Sequence, residues 1–216
     1  AILAQVGSQR RPPHTHPASC GQRPKQGTRV DAMVSGRDLA ALGCGVAAAA
    51  AVAVGMWGPV VGGGMPVDVW FGWHPFLMTC AFPLLMALGR YGYAADSMGG
   101  KPARRILHRN LMIAGTVTAV AGYCCIFLAH RPQHMLFGYN FALGQWGPSA
   151  RVAHDWLGYG TLCLLVLQAQ MGMAKMNALN LGKRMFNSHE YLGRLVLAMA
   201  AVNICLGVYV WAWGLG

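Results

Sequence analysis

Apolar and polar positions alternate along the chain in long blocks. Stretches free of Asp, Glu, Lys and Arg run over 39–67, 69–89, 110–130, 156–174 and 195–216, or 29, 21, 21, 19 and 22 residues. A helix of about 20 apolar residues crosses the roughly 30 Å of hydrocarbon in a bilayer. The blocks lack period-two alternation and are about twice the length of a barrel strand, so they predict helices. The expected spans are Leu39–Val61, Val69–Gly89, Ile106–Ala129, Val152–Ala174 and Ser188–Trp213. The first is dominated by Ala, Val and Gly and has Cys44 as its one titratable side chain, which suits a peripheral or packing helix. Pro83 is expected to kink the second, a feature that membrane helices tolerate when neighbours satisfy the freed carbonyl. The fold class is therefore an all-α membrane protein with five transmembrane helices.

Composition narrows the function. Hydrophobic residues make up 55% and charged residues 11%, against about a quarter charged in soluble domains. That excludes a soluble enzyme, and also a nucleic-acid partner as the reason for the net charge of +11. The bases alternate by connection instead. Arg10, Arg11, Arg23, Lys25, Arg29 and Arg37 precede the first span, and the connection around Gly62–Asp68 has none. Arg90, Lys101, Arg104 and Arg105 lie in the second connection, with Arg109 just beyond it. Only Arg131 and Arg151 lie in the third, Lys175, Lys183 and Arg184 fall in the fourth, and the C-terminus has none. The positive-inside rule then puts the N-terminus inside and the C-terminus outside, a parity that five spans satisfy.

Residues 1–38 are rich in Pro, Gly, Gln and Arg and have no acid before Asp31, so they read as a basic, flexible tail ahead of a membrane domain at 39–216. An Arg-rich, acid-poor segment also fits organelle targeting, to a mitochondrial or plastid membrane, and the absence of an initial Met fits processing. His14 and His16 would be solvated there. The seven cysteines include adjacent Cys124 and Cys125, no CxxC pair and no CxxCH, so they read as small apolar fillers without zinc or covalently attached haem.

The chemistry lies in four histidines. His74, His108, His154 and His189 each stand near the start of one span, from the second to the fifth. Consecutive spans run in opposite directions, so His74 and His154 share the outer level while His108 and His189 share the inner one. Neutral imidazole is a strong axial ligand for haem iron, and helical bundle cores are common cofactor sites. The four later helices would form a haem-binding core with two haems b, held by His74/His154 and His108/His189. One turn after each histidine, on its own face, stand Met78, Met112, Gly158 and Gly193. Each pair would thus have a glycine clearing room for a macrocycle and an unbranched apolar side chain opposite. His130 and His134 have a metal-permitting H-x3-H spacing, but Pro132 interrupts it, so they read as a surface loop.

Around these positions the chain resembles the cytochrome b561 family. The resemblance is carried by His74-Pro75-Phe76-Leu77-Met78, by Lys101 and Arg105 ahead of Leu107-His108, by Ala153-His154-Asp155-Trp156-Leu157-Gly158 followed by Gln168, and by His189 through Gly193. It covers about 70–213. It implies a transmembrane electron carrier with two haems b, taking electrons from ascorbate inside and delivering them to monodehydroascorbate or ferric chelates outside. The family usually has six helices and five are counted here. The connection before His154 is long, with an irregular Gly138–Pro148 stretch that would cap the outer haem or contact a partner.

The basic cluster Lys101, Arg104 and Arg105 lies within two turns of His108 and would attract ascorbate or a similar anionic donor. Arg151 would neutralise propionates of the outer haem, and Arg194, inside the fifth span, requires a partner such as a propionate or Glu190. Membrane lipid is the expected surrounding partner, with a homodimer or larger membrane complex as a further expectation. The alternative function is a haem-binding subunit of a respiratory or photosynthetic complex, where the haem serves structure or internal transfer.

Overall fold

The computed structural model describes residues 36–58, 64–95, 97, 99–183 and 185–212. Its five long helices are α1 (Gly36–Trp57), α2 (Trp70–Ala94), α3 (Lys101–His130), α4 (Ser149–Asn180) and α5 (His189–Ala212). All five are long and apolar enough to cross a membrane. Their outward faces carry exposed Val46, Val54, Ile113, Val117, Leu167 and Val202. An apolar outer surface of this extent suits lipid and would drive aggregation in water. Small residues let the helices approach. A Cβ added at Gly115 would come within 2.8 Å of Met86 Cγ, and one at Gly45 within 2.8 Å of Leu84 Cδ1 and 3.0 Å of Leu84 Cα.

Helix ends depart from the expected spans for one reason. Charged residues mark the edge of the hydrocarbon, whereas a helix can continue into the headgroup layer. Thus α2 runs past Arg90 to Ala94, α3 starts at Lys101 with Pro102 in its first turn, and α4 continues past Lys175 to Asn180. At the other end of the chain α1 begins inside the stretch read as tail. Asp38 is 4% exposed and accepts hydrogen bonds from Tyr91 Oη at 2.7 Å and Ser97 Oγ at 3.0 Å, tying the start of α1 to the end of α2. Residues 1–35, which make up nearly all of that tail, lie outside the described residues, as do residues 59–63, where the first span was expected to end.

Pro83 does more than kink α2. Cys80–Met86 forms a π-helical segment with Pro83 inside it. Proline lacks an N–H and crowds the carbonyl four residues back, and a wider turn relieves both constraints. Phe82 and Met86 are thereby buried with Ala81, Ala119, Leu165, Val196 and Ala200, against which Met78 and Met112 pack.

The segment between α3 and α4, expected to be irregular, is an ordered cap. A 3-10 turn at Arg131–Gln133 leads into β1 (Met135–Leu136), β2 (Tyr139–Asn140) and β3 (Gln145–Trp146), an antiparallel sheet in that order. Leu136 pairs with Tyr139, and Tyr139 with Trp146. Asn140 Oδ1 accepts the N–H groups of Ala142 and Leu143, both at 3.0 Å, which shapes the second turn.

Candidate functional site

The antiparallel course of α2 to α5 brings the four histidines together as two pairs. His74 and His154 have ring centres 6.3 Å apart with planes at 88°, and His108 and His189 have ring centres 6.4 Å apart at 87°. A metal-bound imidazole nitrogen lies about 2.0 Å from the ion and roughly 1.1 Å from its own ring centre, so two rings sharing one metal stand about 6.2 Å apart. Both pairs meet that spacing.

The second test of fit is which ring nitrogen is free. His74 Nδ1 lies 2.9 Å from the carbonyl oxygen of Gly122, His108 Nδ1 3.0 Å from that of Gly89, and His154 Nδ1 3.1 Å from that of Asn203. An Nδ1–H donating to a backbone carbonyl fixes the tautomer and leaves Nε2 with a lone pair for a metal. His189 is held differently. Its Nδ1 is buried without a hydrogen-bond partner, while Gln168 Nε2 donates to the His189 carbonyl at 2.7 Å and also stands 3.5 Å from His189 Nε2.

The two levels are well separated. Along α3, His108 and the Gly122 carbonyl that meets His74 are 14 residues apart, or about 21 Å at 1.5 Å per residue. Between them lies the apolar layer around Phe82, Met86 and Leu165.

A cavity of about 360 Å³ adjoins the first pair. His74, Met78, His154 and Gly158 line it, as do Arg151 and His130. Contrary to the reading of His130 as part of a surface loop, it ends α3, is half-buried and accepts a hydrogen bond from Arg151 Nη2 at 3.0 Å on Nε2; His134 is exposed and apart from it. Arg151 is only 9% exposed and also reaches Met135 Sδ at 3.6 Å, so a cation is buried at the cavity wall. Helix α1, read as a peripheral or packing helix, contributes Ala51, Val52, Gly55 and Met56 to the same wall.

Among the other expected site residues, Gly158 faces Asn203, whose Nδ2 an added Cβ would meet at 3.0 Å. The space beyond Gly193 is taken by Gln168, 2.8 Å from an added Cβ, so this glycine accommodates the amide that holds His189. Met112 packs against Gly89, next to the carbonyl that meets His108. Lys101 is exposed, Arg105 is half-buried, and Arg104 Nη1 donates to the Tyr93 carbonyl at 3.5 Å. Arg194 pairs with Glu190 one turn away at 2.5 Å, and Arg90 reaches the same carboxylate at 3.1 Å.

Two close glycines escaped the sequence reading. A Cβ at Gly207 would lie 2.9 Å from His154 Cε1, and one at Gly172 would lie 3.1 Å from His189 Cε1. Each sits on the helix facing its histidine, so no spacing within one helix could reveal it.

One buried cation, three imidazoles whose Nδ1 is taken by a carbonyl and an apolar cavity together fit a haem. The family model for eukaryotic cytochrome b561 matches residues 73–213, a stretch that contains all four histidines. No curated protein matches the chain.

Proposed function

Because the chain belongs to the cytochrome b561 family, whose members are helical membrane proteins that bind haem b and carry electrons across the bilayer, we propose that it holds two haems and passes single electrons from ascorbate on the inner side to monodehydroascorbate or a ferric acceptor on the outer side. The observation that carries this reading is the 6.3 and 6.4 Å spacing of two imidazole pairs at two depths.

In this reading haem supplies, when bound, a one-electron redox centre at each level. The chain's own residues do the rest. His74 and His154 would hold one haem, and His108 and His189 the other. The carbonyls of Gly122, Gly89 and Asn203 keep three of these imidazoles in register and raise their donor strength. Arg151 would neutralise a carboxylate of the haem in the first cavity, where an unpaired cation is costly. The layer of Phe82, Met86, Ala119 and Leu165 excludes water and ions between the levels. Lys101, Arg104 and Arg105, one to two turns before His108, would draw an anionic donor to the inner end. The N-terminus is inside in this arrangement, which places the small sheet outside.

The optical spectrum of the purified protein tests it. Two low-spin b-type haems per chain are expected, with about half of that absorbance lost on His→Ala at any one of the four positions, and rapid reduction by ascorbate. Haem signals that ascorbate leaves oxidised would favour a subunit with internal transfer instead. A protein that binds no haem would remove both readings.

A further inference from the structure

The tip of the β1–β2 hairpin combines an unfavourable backbone with a set of contacts aimed at the first cavity. Its two turn residues, Phe137 and Gly138, have φ of 54° and 80°. A two-residue hairpin turn with positive φ at both positions prefers Asn or Gly at the first, and a bulky side chain there is an outlier. Such outliers persist where surrounding structure holds them, and they concentrate at functional sites.

The ring of Phe137 shows what the conformation achieves. It lies 4.3 Å from Tyr159 and stacks on Trp156 at 5.4 Å, both on α4. Tyr159 in turn meets Tyr123 of α3 at 5.6 Å. Phe137, Tyr123 and Tyr159 all line the cavity of the first pair. The aromatic ring therefore forms part of the cavity wall at the seam between α3 and α4.

The tip is anchored. Gly138 packs so closely that an added Cβ would lie 2.9 Å from Val152 Cγ2 and 3.1 Å from Val152 Cα. Its carbonyl accepts the Gly147 N–H at 2.8 Å, and Met135 Sδ is held by Arg151. A fixed wall filters by size.

We propose that Phe137 is a specificity-determining residue: by walling the first cavity on its α3–α4 flank, it excludes bulky redox partners that would otherwise reach the centre between His74 and His154. The inference rests on the reading that this pair holds a haem. The step concerned is the loss of one electron from reduced haem to an external one-electron oxidant, with no bond made or broken.

The test compares the dithionite-reduced protein in nanodiscs with its Phe137→Gly variant, which suits the positive φ and removes the ring. Oxidation is followed after mixing with ferricyanide, a small reagent, or with tris(phenanthroline)cobalt(III), a bulky one. Any oxidation through the opposite end is common to both proteins. The variant is expected to react about tenfold faster with the bulky reagent and within about twofold of the unmodified rate with ferricyanide. Phe137→Tyr, which keeps the ring, should restore the slow bulky reaction. An unchanged bulky rate in Phe137→Gly with its haem retained would overturn the proposal. If that variant sheds haem, Phe137→Leu is read in the same way, acceleration supporting the filter and an unchanged rate sinking it. Fewer than two haems in the unmodified protein would show that the underlying reading has failed, before any variant is made.

Discussion

Three of the four paired imidazoles are oriented by a carbonyl on the neighbouring helix, so ring geometry depends on how closely the backbones approach. Gly207 shows the tolerance. An alanine there would place its Cβ 2.9 Å from His154 Cε1, and that ring cannot easily yield because its Nδ1 is tied to the Asn203 carbonyl. Gly207→Ala should therefore lose most of the haem signal of the first pair and leave that of the second, as read by difference spectra. Gly43 has open space around an added Cβ, so Gly43→Ala should keep both signals and shift stability by no more than about 1 kcal/mol. The histidines themselves were legible in the sequence, because imidazole is chemically distinctive and one stands near the start of each of the four later spans. The partners at Gly122, Gly89 and Asn203 were not, because every residue has a carbonyl and only packing selects which one is used.

At the scale of elements, α1 has a larger part than its bland sequence suggests. Gly45 lets it lie against the π-helical segment of α2, next to Leu84 and the Pro83 carbonyl. Gly45→Ala would push a Cβ to 3.0 Å from the Leu84 Cα, a backbone atom that cannot rotate away. Destabilisation of about 1–3 kcal/mol is expected from such overpacking, measured by thermal or denaturant unfolding in detergent. The same shift would loosen the wall that Ala51, Val52, Gly55 and Met56 give the first cavity. The π-helical segment was only half legible. Proline at position 83 announced a distortion, but its form depends on how neighbouring helices receive Phe82 and Met86.

The whole molecule places two similar sites about 20 Å apart within one bundle, joined by an apolar layer. Groups this distant and without shared partners behave independently in binding. His154→Ala and His189→Ala should thus each remove one haem and leave the spectrum of the other intact. In the proposed two-haem path transfer across the membrane is serial, however, so either substitution alone should abolish it. Vesicles loaded with ascorbate and supplied outside with a ferric chelate would measure this, and substantial residual transfer in a variant with one haem would contradict a two-centre path.

The number of spans, their described boundaries to within six residues and the pairing of the histidines followed from the sequence alone. Each depends on quantities that are linear along the chain: the length of apolar runs, the spacing of charges and the reversal of direction at every crossing. Closure of the pairs to the distance that one metal requires, the carbonyls that turn the rings, the burial of His130 beside Arg151 and the hairpin wall at Phe137 were decided only in three dimensions. They arise where residues from different helices meet, and neither hydropathy nor spacing within one helix records which backbone will stand opposite.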